Sequence, residues 1–367
     1  MTTTLQTHAI APAVVMRGSG AWHDAIPSIE NLCRRPLLLG RSSATRHLRE
    51  QLMADLNREG LSSAAGELEH DCCEADLGRL AGIAQAHGAD AVIAAGGGKV
   101  LDAGKLLAER LALPCITVPT SAATCAGWTA LANIYSPAGA FEGDVALAGC
   151  PELLIFDHLL VQQAPARTLA SGIADAMAKW YEASISSGTS TDGLVQQAVQ
   201  QARVLRDQLL LEGLEAFQQP GTEAWVRVAE ASALTAGLIG GLGGARCRTV
   251  AAHAVHNGLT QLQACHGVLH GEKVGFGVLV QLRLEEQLGG NQLAGQARRQ
   301  LTPFFRQLGL PVSLEELGLA QANLQELQQV CHFACKEGSD LHHLPFEVAA
   351  DDLLAALVSS TKGCLTR

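Results

Sequence analysis

The stretch Ala-Val-Ile-Ala-Ala-Gly-Gly-Gly-Lys-Val-Leu-Asp, residues 91–102, constrains the fold of this chain more than any other. Its apolar run predicts a buried strand, and a helical pattern begins directly after the three glycines. Because glycines let a ligand approach the backbone and helix-opening amides attract anions, this turn is suited to phosphate. An ordinary strand-to-helix turn would look similar, so a nucleotide site is a hypothesis at this point. The residues assigned to it are Gly96, Gly97, Gly98, Lys99 and Asp102.

The pattern of apolar and helix-favouring residues changes near residue 164. Before it, short apolar runs such as Pro36–Gly40 and Cys115–Pro119 alternate with amphipathic helical patterns, which predicts a Rossmann-like parallel sheet covered by helices. After it, long segments rich in alanine, leucine and glutamine replace the β-branched runs and predict helices. We therefore expect an α/β domain over residues 1–163 and an all-α domain over residues 164–367.

Composition excludes several classes of partner. The formal net charge of −10 over 367 residues argues against nucleic acid or an anionic membrane surface as the main partner. No apolar run approaches the roughly 20 residues that cross a bilayer, and the N-terminus lacks the pattern of a secretory signal. The eleven cysteines are scattered, which favours free thiols in a reducing compartment. We expect a cytoplasmic protein with a small-molecule substrate.

The helical half contains residues of the types that bind metals. Asp175 lies in an alanine-rich helical segment, where a buried carboxylate would need a partner. His253 and His256 are three residues apart and share a helical face, and His270 follows in a later segment. Two imidazoles and a carboxylate suit Zn²⁺ or Fe²⁺ and leave open positions for a substrate oxygen. Histidines on helices are commonly structural, so spacing alone leaves the metal site open.

Four motifs then occur in order along nearly the whole chain. They are Gly96-Gly97-Gly98-Lys99-x-x-Asp102, Val118-Pro119-Thr120, Gly172-Ile-Ala-Asp175, and His253-x-x-His256-Asn257 followed by His270-Gly271-Glu272-Lys273. Together they resemble the glycerol dehydrogenase branch of the iron-containing (group III) alcohol dehydrogenases. The resemblance implies a dehydroquinate synthase-like architecture, with a dinucleotide-binding domain, a helical metal-binding domain and a catalytic site in the cleft between them.

The resemblance also implies roles for individual residues. Asp175, His253 and His270 would hold one divalent metal, Zn²⁺ or Fe²⁺, and His256 would lie beside it as a candidate proton relay. A dinucleotide, NAD or NADP, would contact Gly98, Lys99, Asp102, Thr120, Thr129, Leu131 and Tyr135. These roles agree with the chemistry, because a metal polarises an alcohol oxygen while hydride passes to the nicotinamide.

Position 125 departs from the glycerol enzymes, which carry there an aspartate that hydrogen-bonds the polyol. Cys125 is a poor acceptor, so glycerol is not expected to be the natural substrate. The segment Ala-Ala-Thr-Cys-Ala-Gly-Trp-Thr, residues 122–129, instead resembles hydroxycarboxylate dehydrogenase A, a subgroup that reduces 2-oxo acids. Arg248, or less favourably Arg246, could then pair with a substrate carboxylate, and a charge at a surface or domain interface is the alternative.

Arg41 is a second departure, because NAD-specific members usually place an aspartate at this strand end for the adenosine ribose. An acidic group would repel a 2′-phosphate, whereas Arg41 and Ser42 would attract one. The sequence therefore predicts that NADP(H) is tolerated or preferred, with a plain solvated charge at Arg41 as the alternative.

From these observations we predict a metal-dependent NAD(P) oxidoreductase that interconverts a small 2-hydroxy acid and its 2-oxo acid. A glycerol, polyol or alcohol dehydrogenase is the alternative, and a lyase resembling dehydroquinate synthase is a weaker one. The resemblance also implies a homo-oligomer.

Overall fold

The computed structural model describes residues 7–360, apart from the side chain of Arg246. The strands of this part are β1 (Val14–Gly18), β2 (Pro36–Gly40), β3 (Ala64–Glu67), β4 (Ala91–Gly96), β5 (Cys115–Pro119), β6 (Leu131–Tyr135), β7 (Phe141–Ala146) and β8 (Leu153–Asp157). Six of them form one parallel sheet in the order β1-β8-β5-β4-β2-β3. The helices of this half are α1 (Ala21–Leu32), α2 (Arg46–Arg58), α3 (Glu74–His87), α4 (Gly98–Leu111) and α5 (His158–Gln162).

Helices cover both faces of the sheet, as its continuously apolar strands require. Val92 of β4 packs with residues of α3 and α4, while the next residue, Ile93, packs with α1 and α2. Strands β4 and β5 are neighbours, with Gly96 opposite Pro119. The glycine turn and the turn after Pro119 therefore meet at one edge of the sheet, where parallel sheets bind ligands.

The strands β6 and β7 form an antiparallel hairpin outside the main sheet, which the sequence analysis does not predict. The residues of β7 alternate between half-buried and exposed positions, whereas β6 buries Ala132 and Tyr135. Strand β7 therefore lacks the apolar run that marks the strands of the main sheet. Lys105 of α4 holds the base of the hairpin, because its Nζ donates to the carbonyl of Thr129 at 3.0 Å and to that of Leu131.

The rest of the described chain is helical, with no strand between residues 158 and 360. Its helices are α6 (Ala166–Ser187), α7 (Gly193–Gln218), α8 (Glu223–Glu230), α9 (Ala236–Gly243), α10 (Ala251–Leu259), α11 (His270–Gln287), α12 (Gln292–Gln307), α13 (Leu324–Ala334) and α14 (Ala350–Ser360). The predicted fold class, a Rossmann-like α/β half followed by a helical half, is confirmed. The division at residues 163 and 164 falls between α5 and α6, and the assignment of two domains with this boundary remains a prediction.

Two glycines of α11 allow unusually close helix packing. A Cβ on Gly271 would lie 1.8 Å from the carbonyl oxygen of Ser171 in α6, and one on Gly277 would lie 2.3 Å from that of Ala252 in α10. Only glycine fits such backbone contacts, so α11 touches α6 and α10 directly. Within residues 7–360, none of these helices is long and apolar enough to span a bilayer.

Candidate active site

A cleft of about 680 Å³ lies between the carboxyl edge of the sheet and the helical half. Every residue that the sequence analysis assigns to the site, apart from the alternative Arg246, lines this one cleft. Those on the sheet side are Arg41, Gly96, Gly97, Gly98, Lys99, Asp102, Thr120, Cys125, Thr129, Leu131 and Tyr135, and those on the helical side are Asp175, Arg248, His253, His256 and His270. The side chain of Arg246, the weaker candidate for carboxylate binding, lies outside the described part.

The glycine turn joins the end of β4 to the start of α4. Gly96 ends the strand, Gly97 caps the helix and Gly98 is its first residue, so the first amides of α4 face the cleft edge. A Cβ on Gly96 would lie 2.7 Å from the Cβ of Val100, and one on Gly98 would lie 3.0 Å from Oγ1 of Thr124. Side chains here would therefore collide with the structure or fill the space above the helix N-terminus, where an anion is favoured.

Two cations at this end of the cleft share a carboxylate that the sequence analysis missed. Asp71 is buried between β3 and α3, and its two oxygens form ion pairs with Arg41 and with Lys99. Both cations also line the cleft. No local motif marks Asp71, because its partners lie 30 and 28 residues away. Arg41 is therefore not a plain solvated charge, and its charge is balanced by Asp71.

Asp102 also lines the cleft, and both of its carboxylate oxygens already have partners within the protein. Its Oδ1 lies 3.1 Å from Nζ of Lys105, and its Oδ2 accepts from the backbone amide of Asn133 at 3.3 Å. Burial raises the pKa of this carboxyl group, against the charge of Lys105. The Asp102–Lys105 pair thus ties α4 to the segment that carries Thr129 and Leu131.

At the other end of the cleft, three helices bring Asp175, His253 and His270 together. Nε2 of His253 lies 3.4 Å and Nε2 of His270 lies 3.6 Å from Oδ1 of Asp175. Atoms that bind one Zn²⁺ at about 2.1 Å in tetrahedral geometry lie roughly 3.4 Å apart, so the spacing fits a metal. Oδ1 of Asp175 is also buried without a hydrogen-bond partner, which is costly unless a cation is bound there.

The protonation of this cluster suits metal binding. Burial alone would raise the pKa of Asp175, but Lys179 and the two imidazoles hold it well below its usual range. Burial lowers the pKa of His270 and leaves its imidazole neutral, as a metal ligand must be. The carboxylates Glu182 and Asp175 outweigh burial at His253 and raise its pKa to about 9, so a metal bound there would displace a proton.

His256 lies beside this cluster rather than in it. Its ring centre is 4.2 Å from that of His270, and its Nδ1 lies 2.9 Å from Oδ1 of Asn257. Burial lowers its pKa well below the usual value, so the imidazole is neutral at pH 7 and can accept a proton.

Helix α6 contributes two further residues that the sequence analysis did not assign to the site. Lys179 and Glu182 lie four and seven residues after Asp175, hence on the same helical face. This spacing is the sequence feature from which both residues could have been assigned to the site. Lys179 is buried and lines the cleft, with Nζ 3.7 Å from Oδ1 of Asp175. Glu182 has no exposed surface, and its Oε2 lies 2.6 Å from Nδ1 of His253.

Cys125 and Arg248 line the same cleft as Lys179. Burial raises the pKa of the Cys125 thiol, against the charge of Lys179, so the thiol is neutral and a weak hydrogen-bonding group. Nε of Arg248 is buried without a hydrogen-bond partner. Two cations, Lys179 and Arg248, therefore lie near the candidate metal ligands.

A second cluster, His70, Cys73 and Asp76, has ligand atoms within 4.8 Å of one another. Oδ2 of Asp76 already accepts from the amides of Glu69 at 2.9 Å and His70 at 2.7 Å, while Oδ1 accepts from Arg79 at 2.7 Å. Asp76 lies in the first turn of α3, and these contacts hold the loop that precedes the helix. None of the three residues lines the cleft.

Comparison with known proteins agrees with this geometry. The profile of the family "Iron-containing alcohol dehydrogenase" matches residues 12–158. The chain is 51% identical to an uncharacterized oxidoreductase of Synechocystis sp. over 98% of this chain and 93% of that protein. It is 33% identical to a glycerol dehydrogenase of Citrobacter freundii, over 85% of each chain. It is 35% identical to hydroxycarboxylate dehydrogenase A of Escherichia coli K12, over 78% of each chain.

The fold has close solved counterparts. The crystal structure of a probable glycerol dehydrogenase from Sinorhizobium meliloti superposes with a TM-score of 0.85 at 28% identity, over 96% of this chain and 97% of that one. Several of the similar proteins are glycerol dehydrogenases, so the comparisons agree better with the alcohol or polyol alternative. They do not confirm the predicted 2-hydroxy acid substrate. The chain belongs to the iron-containing alcohol dehydrogenase family of oxidoreductases.

Proposed function

We propose that this protein is an NAD(P)- and divalent-metal-dependent dehydrogenase that interconverts a small alcohol or polyol and its carbonyl compound. The observation that carries the proposal is the buried cluster of Asp175, His253 and His270, which shares one cleft with the glycine turn. The substrate class is supported by the similarity to glycerol dehydrogenases.

A bound ion would supply Lewis-acid chemistry at a substrate oxygen, and a bound nicotinamide would supply hydride transfer at the substrate carbon. We assign Asp175, His253 and His270 to hold the ion. The amides that open α4, with Gly96, Gly97, Gly98 and Lys99, bind the pyrophosphate. Thr120, Thr129, Leu131 and Tyr135 line the path between these two ends, and Asp102 keeps that path in shape through Lys105.

His256 is the candidate proton carrier. It is buried in ring contact with His270, so it is placed to relay the proton that an alcohol loses on oxidation. Because burial lowers its pKa, it would pass the proton on rather than keep it. Its contact with Asn257 orients the ring.

A second candidate substrate is a 2-oxo acid, and a specific observation favours it. Lys179 and Arg248 line the cleft near the candidate ligands, and Nε of Arg248 lacks a partner. Where glycerol enzymes carry an acidic group, Cys125 is neutral, so it does not offset these charges. Lys179 is already paired with Asp175, so Arg248 is the cation that would pair with a substrate carboxylate, with Lys179 beside it. The similarity to hydroxycarboxylate dehydrogenase A agrees with this candidate.

For the cofactor we propose that both NAD(H) and NADP(H) are used. Arg41 is available to a 2′-phosphate only in competition with Asp71, so the balance between the two cofactors is set by that pair. Zn²⁺ and Fe²⁺ both accept two imidazoles and a carboxylate, and availability selects between them. Assembly into a homo-oligomer stays a prediction that sedimentation velocity would test.

Reductase assays test the proposal directly. Metal-stripped protein is reloaded with Zn²⁺ or Fe²⁺, and NADH or NADPH absorbance is followed with dihydroxyacetone, glyoxals, 2-oxobutyrate and 2-oxoglutarate. Turnover of dihydroxyacetone at the highest kcat/KM supports the polyol proposal, and faster turnover of the oxo acids selects the second candidate. Failure with every carbonyl compound would overturn both and reopen the lyase alternative.

A further inference from the structure

We propose that Glu182 is the positioning residue for His253 and fixes the tautomer in which that imidazole binds a metal. The inference rests on the proposed metal site, but concerns metal affinity rather than the substrate. Glu182 is completely buried on α6, seven residues after Asp175. A buried carboxylate is costly unless hydrogen bonds compensate it, so its partners indicate its purpose.

The carboxylate of Glu182 accepts two backbone hydrogen bonds at the start of α10 and also contacts the His253 ring there. Its Oε1 accepts from the backbone amides of Val250 at 2.7 Å and His253 at 3.0 Å. Its Oε2 lies 2.6 Å from Nδ1 of the His253 ring. The same carboxylate therefore holds both the helix that carries His253 and the ring itself.

The two ring nitrogens of His253 have different neighbours. Nε2 faces Asp175, at 3.4 Å from Oδ1, so it is the atom that points to the metal position. For Nε2 to offer a lone pair, the proton of the neutral ring must be on Nδ1. An ionised Glu182 can only accept, so it requires a donor at Nδ1 and selects this tautomer.

One face of helix α6 thus supplies both Asp175, a candidate metal ligand, and Glu182, which orients the second ligand His253 on α10. Such carboxylate–histidine contacts raise the basicity of a ligand and prevent the ring from turning. Glu182 is buried and is not among the residues that line the cleft, so it acts through His253.

The test is Glu182→Gln. Glutamine keeps the size, and its Oε1 can still accept from the amides of Val250 and His253. Its Nε2 is a donor facing Nδ1, so the ring is driven to carry its proton on Nε2, where the ion would bind. We expect a Zn²⁺ dissociation constant about 10- to 100-fold higher, measured by chelator competition on metal-stripped protein without substrate.

Gln281→Leu is the matched control, because Oε1 of Gln281 accepts from the amide of Ala252 at 3.1 Å in the same helix start but does not contact the His253 ring. This variant should lose stability and keep its Zn²⁺ affinity within about threefold. Equal Zn²⁺ affinity of Glu182→Gln and the natural protein would overturn the proposal, as would an equal loss in Gln281→Leu.

A second measurement tests the His253 tautomer in the natural protein, so it does not depend on whether a variant at position 182 folds. ¹⁵N-imidazole spectra of the Zn²⁺-loaded natural protein should show the His253 signal, assigned by its loss in His253→Asn, with the proton on Nδ1. A proton on Nε2 would overturn the inference. A protein that binds Zn²⁺ but reduces no carbonyl compound would refute the proposed reaction alone, whereas absence of divalent-metal binding would refute both.

Discussion

The two ends of the cleft are built in different ways. At the sheet end, the glycine turn is one uninterrupted stretch, and its shape follows in part from the local sequence, since a Cβ on Gly96 would lie 2.7 Å from the Cβ of Val100 four residues later. At the helical end, Asp175, His253 and His270 lie on three helices and meet only when these pack together. The first end is set by backbone conformation and the second by helix packing, so mutations should affect them differently.

The largest effect is expected at the helical end. His270→Ala should lower the bound metal and reduce kcat by on the order of 100- to 1,000-fold, because a Lewis acid is worth several kcal/mol in the transition state. Metal content by mass spectrometry and kcat check this. His256→Gln is the control, which should retain the metal and lose activity only. Full activity in His270→Ala would contradict the ligand assignment.

Gly271→Ala should come next, and it tests whether packing sets this end. The added Cβ would lie 1.8 Å from the carbonyl oxygen of Ser171, a backbone atom that cannot turn aside. We expect the free energy of unfolding to fall by on the order of 3 kcal/mol, with weaker metal binding, as measured by denaturant titration. Gly267→Ala is the control, because a Cβ there meets nothing within 4 Å. Equal stability of both variants would disprove the packing argument.

Cys125→Asp should shift the substrate preference from 2-oxo acids towards polyol-type carbonyl compounds. A carboxylate there accepts hydroxyl hydrogen bonds and balances the charges of Lys179 and Arg248. The ratio of kcat/KM for dihydroxyacetone over 2-oxobutyrate should rise by roughly 30-fold, corresponding to about 2 kcal/mol. Cys125→Ser is the comparison that adds no charge. A ratio that falls in Cys125→Asp would exclude a cationic carboxylate site near Lys179.

The smallest effect is expected at the sheet end. Asp71→Asn frees Arg41 and Lys99, so the NADPH/NADH ratio of kcat/KM should rise by about tenfold, as expected for one charged hydrogen bond of about 1.5 kcal/mol. In Arg41→Ala the same ratio should drop. If both variants leave the ratio unchanged, Arg41 does not meet the 2′-phosphate.

The same contrast explains what could be predicted from the sequence. The parallel sheet and the glycine turn follow from apolar runs that end in glycine, and these predictions match β4 and α4. Asp71 could not be found, because its ion pairs depend on how distant loops meet. Lys179 and Glu182 could have been found from their spacing to Asp175 on a helix, but spacing alone does not distinguish a site face from a core face. The β6–β7 hairpin was missed because β7 alternates half-buried and exposed residues and has no apolar run.

That hairpin also limits how the cleft can open. The amide of Phe141 donates to Oγ1 of Thr260 at 2.9 Å, and Nε2 of Gln261 donates to the carbonyl of Phe141 at 3.0 Å, so the sheet half is fastened to the end of α10. Complete separation of the two halves would break these two hydrogen bonds, each worth about 1 kcal/mol. Release of a dinucleotide should instead occur by rotation of the two halves about this contact between the hairpin and the end of α10.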